Sequence, residues 1–203
     1  MKKTEITKTR IIDVAVRLFN TLGYEKTSMD DIARFANKAK RSLYYHFTSK
    51  EEIFQSAVAQ ELTTIKEQLE PLFTDESQLP SQVFRSYFKQ RMALFSASRV
   101  YPIVLGYEFS ERHTLPYENF HSCLSKFEQW EHEQFLHVCE RLPQKEGNNP
   151  VALTDMLQML IKSLDTMFFV QGKYNDYKDT FLFTVNEITK GIELQIRENN
   201  QTI

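Results

Sequence analysis

The stretch Lys40-Arg41-Ser42-Leu43-Tyr44-Tyr45-His46-Phe47 is where residue type and spacing most clearly specify a chemistry. Leu43 and Phe47 are four residues apart and share one helical face, which leaves Lys40, Arg41, Ser42, Tyr44 and Tyr45 for the other. Lysine and arginine donate to guanine edges or neutralise phosphate, and serine and tyrosine hydroxyls reach phosphate oxygens. Such a face suits the major groove of duplex DNA. The charge agrees: residues 1–50 carry 11 Lys/Arg against 5 Asp/Glu, while the remainder carries 14 against 22. A basic N-terminal piece meets a polyanion, and an acidic remainder does not.

Other chemistries lack their parts. Cys123 and Cys139 are 16 residues apart. On one continuous helix they lie about 160° apart in direction and ~24 Å along the axis, so they do not bridge. His132 and His137, five apart, are poorly placed to share a metal with Cys139. No phosphate-binding glycine loop, HExxH or GxSxG occurs. No metal, no cofactor and no enzymatic activity are therefore expected. No apolar run approaches the ~18 residues of a membrane span, and no apolar segment follows Met1-Lys2-Lys3, so a cytoplasmic protein without a membrane partner is expected.

The elements that must position the basic face are helices. Glycine (5) and proline (6) are scarce, and nothing alternates at period two, so the chain is expected to be all-α with about nine helices. Ile11, Ile12, Ala15, Leu18, Phe19 and Leu22 predict a first helix from Thr9 that Gly23 ends. Thr27 or Ser28 caps a second, whose buried face is Met29, Ile32, Ala33 and Ala36. After Asn37-Lys38-Ala39 comes the third, the recognition helix of a helix-turn-helix. Ser49-Lys50-Glu51-Glu52 reads as a capping box opening a fourth helix to about Leu69.

The run from Arg10 to Leu62 resembles the TetR family of bacterial transcriptional regulators. The likeness rests on Thr27-Ser28-Met29-Asp30-Asp31-Ile32-Ala33, Leu43-Tyr44-Tyr45-His46-Phe47 and Ser49-Lys50-Glu51-Glu52-Ile53-Phe54. It implies that Lys40, Arg41, Ser42, Tyr44 and Tyr45 lie at the DNA interface. It further implies that His46 and Lys50 touch phosphate, and that Thr27 and Ser28 offer hydroxyls and helix N-terminal amides to the backbone. The usual turn of the family reads Ala-Gly-Val-Ser, where this chain has Ala36-Asn37-Lys38-Ala39. Asparagine tolerates the left-handed conformation. Lys38 either snorkels and reaches phosphate or displaces the recognition helix. Ala39 removes the usual serine cap.

The domain division expected is a helix-turn-helix over 1–50, helix four (50–69) as connector, and an effector-binding and dimerisation domain over 70–203. Between Phe84 and Phe135, 12 of 52 residues are aromatic, which suits either a core or an apolar cavity. By resemblance a small apolar or aromatic effector binds there. Helix five offers Phe84, Tyr87, Phe88, Arg91, Met92 and Phe95. Tyr107, Phe120, Phe127 and Trp130 follow on helices six and seven, and Met159 lies on helix eight. The last two helices are apolar on more than one face and must be buried on more than one side. Leu153, Met156, Leu160 and Val170, with Phe181, Val185, Ile188 and Ile192, are the expected two-fold interface. The whole reads as a homodimeric regulator, a repressor of a palindromic operator in double-stranded DNA that its effector releases. The alternative is a TetR-fold small-molecule-binding or scaffold protein that has lost DNA binding, which the changes at Lys38 and Ala39 motivate.

Overall fold

A computed structural model describes residues 3–108, 117–142 and 149–201. Among the described residues there are nine α-helices and no strand: α1 Lys3–Leu22, α2 Met29–Phe35, α3 Lys40–His46, α4 Lys50–Leu69, α5 Pro80–Ala97, α6 Tyr101–Glu108, α7 Tyr117–Glu140, α8 Pro150–Asp165 and α9 Tyr174–Gln201. Among the described residues the helical periodicity of the sequence is thus realised. A 3-10 turn, Glu70–Phe73, extends α4, and a π-turn, Thr166–Val170, extends α8. No described helix is long and apolar enough to cross a membrane.

The helices gather into two compact units, Met1–Thr63 with Arg99–Leu124, and Thr64–Ser98 with Ser125–Ile203. In the first, α1 buries Ile11, Ala15, Leu18 and Phe19 and stops at Gly23, whose φ of +91° costs a residue without Cβ little. Tyr24 then turns back onto the core. Its ring lies 5.1 Å from both Phe19 and Phe54, closing a three-ring cluster that fixes α4 against α1. Asn20 donates to the Arg99 carbonyl, and the Glu61 carboxylate accepts from the Arg99 and Val100 amides. These bonds tie residues 99–100 to the helix-turn-helix.

In the second unit α5 packs along α9, where Arg85 reaches Thr189 and Glu193. Tyr87, Phe95, Phe135 and Phe168 form the aromatic centre. Gly172, at φ +69°, reverses the chain between the π-turn and α9.

The three-residue turn before α3 shows how this sequence handles its unusual residues. Asn37 takes φ +53°, its amide donates to the Arg34 carbonyl, and the Lys38 amide donates to Ala33. This is a Schellman ending in which asparagine fills the usual glycine position. α3 itself starts at Ala39 with no side-chain cap. Because Ala39 already has extended dihedrals (φ −63°, ψ 142°), a hydroxyl there meets no backbone obstacle. Ala39→Ser should therefore raise the unfolding free energy by about 1 kcal/mol, read by urea denaturation.

Candidate nucleic-acid interface and effector region

α2 is set by Ser28, whose Oγ accepts from the Asp31 amide while the Asp31 carboxylate accepts from the Ser28 amide and hydroxyl. Those bonds, the hydroxyl's foremost, hold the Asp31 carboxyl below its ordinary pKa. Of the two expected caps, Ser28 is the one used. Thr27 is buried instead, and its hydroxyl donates to the Gly23 carbonyl at 2.8 Å, closing the turn after α1.

α3 turns Leu43 inward, and Phe47 just beyond it is buried as well. Lys40, Arg41, Tyr44 and Tyr45 face solvent, with Tyr45 82% exposed, while Ser42 and His46 are half-buried. The His46 ring stands nearly perpendicular to Tyr45 at 5.1 Å. The Lys40 ammonium meets the Asp30 carboxylate at 2.7 Å, so α2 holds the first residue of α3. Lys38 is half-buried, and no described side chain pairs with its ammonium.

Lys50 is engaged locally, its ammonium donating to the Tyr24 carbonyl at 2.9 Å and lying 4.2 Å from that ring's centre. Ser49 caps α4 through the Glu52 amide, but the Glu52 carboxylate reaches back to the Thr48 amide and hydroxyl instead of Ser49. The capping box therefore spans one residue more than the sequence pattern implies.

One feature of this unit escaped the sequence reading. Phe35, at the end of α2, is 58% exposed beneath the Arg34 guanidinium. With Val14, Arg17, Leu18, Thr21 and Leu22 it lines a groove of about 310 Å³. Phe35 lies beside the α2 stripe of Ile32, Ala33 and Ala36 and reads as an ordinary core aromatic.

In the second unit Phe84, Tyr87, Arg91, Met92, Phe95, Phe127 and Trp130 are buried, and Phe88 is half-buried. The Tyr107 and Phe120 side chains lie outside the described residues. Met159 does not join them. It is 70% exposed on the far side of α8. At the centre, Arg91 spends its whole guanidinium on carboxylates: Nε on Glu131 at 2.8 Å, and the two terminal nitrogens on Asp165 at 2.7 and 2.9 Å. Tyr87 donates its hydroxyl to Glu131. Burial raises the Glu131 carboxyl above its ordinary pKa, with the charge of Arg91 opposing. Glu131 and Asp165 are absent from the sequence reading, although Asp165 shares the α8 face of Ile161 and Phe168.

The expected interface residues divide. Met156 (61%), Leu160 (57%), Ile188 (61%) and, less so, Val170 are exposed, joined by Met159, Phe183 and Leu194. Leu153, Phe181 and Val185 are half-buried, and Phe181 packs its ring on Phe88 and Phe168. The Ile192 side chain lies outside the described residues. Among the described residues no His, Cys, Asp or Glu cluster is arranged to hold a metal ion.

Residues 11–57 match the bacterial regulatory proteins of the tetR family. Over 51 residues the chain is 51% identical to IcaR of Staphylococcus aureus (strain Newman), the HTH-type negative transcriptional regulator of the biofilm operon icaADBC. That alignment takes in 25% of this chain and 27% of IcaR, so the chain spans about a quarter of the length of the curated relatives it matches. Whole-chain likeness is to solved structures. The fatty acid degradation regulator FadR from Bacillus halodurans superposes with a TM-score of 0.70 at 16% identity, covering 90% of this chain and 94% of that one. FadR from Bacillus subtilis, in complex with stearoyl-CoA, gives 0.68 at 18% identity, covering 91% and 96%. These superpositions show a shared fold.

Proposed function

From the match of residues 11–57 to the tetR family of bacterial regulatory proteins, we propose that this chain is a sequence-specific DNA-binding repressor of that family. It acts as a homodimer on a palindromic operator, and a small apolar or aromatic effector releases it. The observation that carries the reading is the outward set Lys40, Arg41, Tyr44 and Tyr45 on α3, held by buried Leu43 and Phe47. Ser42, His46 and Lys38 flank that set, and the Ser28 amide end of α2 lies at the phosphate backbone. Lys50 supports the turn that presents α2 and α4 and keeps ammonium hydrogens to spare for phosphate, whereas Thr27 gives both its hydroxyl and its amide proton to backbone carbonyls and supports the turn alone. The repressor sense leans on IcaR, a negative regulator over the same residues. The effector sense leans on a fold neighbour that carries stearoyl-CoA.

Release follows as a population shift. An effector changes operator affinity only by its differential affinity for two states of the dimer. α4 runs unbroken from Lys50 to Leu69 and contributes residues to both units, which makes it the covalent lever.

The test is selection of random duplexes by the purified protein at two salt concentrations. An enriched inverted repeat with half-sites one helical turn apart, ~34–36 Å, and a steep salt dependence is expected. No enrichment by folded protein refutes the reading. Two substitutions then sort the contacts. Arg41→Ala should weaken the selected site by about 1–3 kcal/mol and relax one base position if Arg41 pairs with a base edge. Lys38→Met should weaken all duplexes alike and lower the salt slope by about 1 per protomer, as loss of a phosphate contact does.

A further inference from the structure

Every buried polar side chain described above has a partner but one. The indole Nε1 of Trp130 is buried and has no hydrogen-bond acceptor. Buried Trp N–H groups ordinarily find one, and an orphan calls for an explanation such as an absent ligand. The ring is not free to search. It is held against Phe73 at 6.0 Å, edge to face, and against Phe127 at 5.5 Å. A cation completes the surroundings: the Lys66 ammonium lies 5.5 Å from the ring centre. Among the described residues it pairs with the Glu70 carboxylate, at 4.0 Å and largely in solvent. The Nε1–H and the Lys66 ammonium are both donors.

A buried, unpaired N–H with a cation beside the same ring is complementary to a group that accepts and carries negative charge. We infer that Trp130 and Lys66 anchor the carboxylate of an apolar monocarboxylic acid, with Nε1 donating to one oxygen and the ammonium balancing the charge. The acid's body lies along Phe73 and Phe127. The inference rests on the effector reading above and narrows it, since an uncharged hydrocarbon or a cation leaves Nε1 unpaired. Arg91 is not the anchor, because Glu131 and Asp165 occupy all three of its nitrogens.

Trp130 is the one tryptophan of the chain, so its emission reports this box directly. Full-length protein is titrated with benzoate, octanoate and palmitate, and with benzyl alcohol, octanol and hexadecanol as uncharged counterparts. At least one acid should give a saturable change in emission, at tenfold or more lower concentration than its alcohol. Lys66→Met should erase that preference. Trp130→Phe, followed by calorimetry, should weaken the same acid fivefold or more while thermal unfolding stays in place. No saturable response to any acid, or equal response to acid and alcohol in the native chain, overturns the inference. Retention of duplex DNA is measured alongside. DNA binding without an acid response leaves the regulator and removes this site. An acid response without DNA binding leaves this site and removes the regulator.

Discussion

Arg91→Ala should cost about 3–5 kcal/mol of unfolding free energy, because it strands two carboxylates in the core. Arg91 is 2% exposed, and the side chains of its partners Glu131 and Asp165 are each 3% exposed. The native pairing earns no great net stability, since desolvating three charges offsets most of their attraction. Removing the cation alone leaves the cost of the anions with nothing against it. Against the ~5–15 kcal/mol that holds a typical domain folded, the loss is a large fraction of the whole. The measurement is urea unfolding at fixed protein concentration, because assembly contributes to apparent stability. A loss below about 1 kcal/mol would mean that water reaches the carboxylates.

Two further readings confine the cause. Arg91→Met combined with Glu131→Gln and Asp165→Asn removes the charges together and should recover most of the loss. The pH dependence has a definite sign. Burial raises the Glu131 carboxyl, so the folded chain binds that proton more tightly than the unfolded chain does. Its contribution is full below the unfolded pKa and is lost as pH rises through the folded one. Without Arg91 an opposing influence on that shift is gone. The deficit of Arg91→Ala should therefore shrink in acid and widen toward neutral pH.

Local signals were legible wherever one residue type decides the backbone. Gly23 ends α1 where the sequence places it, and of the two caps it offers for α2, Thr27 and Ser28, the structure uses Ser28. Asn37 takes the left-handed conformation that its type permits. α1 begins six residues before the first expected helical position, because Lys3 to Lys8 are compatible with a helix but carry no apolar stripe to announce one. Partner choice was not legible. Thr27 and Lys50 bear the right groups for phosphate, yet each finds a backbone carbonyl: Thr27 that of Gly23, four residues back, and Lys50 that of Tyr24, which only chain folding brings within reach. On α8 the most apolar stripe does not face the protomer's own core. Thr154, Ile161, Asp165 and Phe168 point inward, while Met156, Met159 and Leu160 point out. Hydrophobicity marks both faces and cannot say which one is intramolecular. A buried aspartate in phase with Ile161 and Phe168 was the available clue, readable only beside Arg91.

That outward stripe yields the second large effect. Leu160→Glu should convert the protein to monomers and lower its affinity for a two-half-site duplex by about a thousandfold or more, from the specific toward the non-specific range. In a single protomer Leu160 is 57% exposed, so glutamate there meets water and should change protomer stability by no more than about 0.5 kcal/mol. Met156, Met159 and Leu160 on α8, with Phe183, Ile188 and Leu194 on α9, leave more large apolar side chains in solvent on two helices than isolated surface residues explain. In the proposed homodimer a second copy of α8 and α9 supplies the cover, and two-fold symmetry then applies each substitution twice. Two desolvated carboxylates oppose assembly, whereas Leu160→Met keeps the volume and should keep the dimer. Sedimentation equilibrium reads the mass, and titration of the selected duplex reads the affinity. A Leu160→Glu chain that stays dimeric and binds as before would move the two-fold contact away from these helices. A monomer that still holds the full site would show that each head binds on its own. The expected outcome, a folded monomer that has lost the site, makes the spacing of two heads the quantity on which any effector must act.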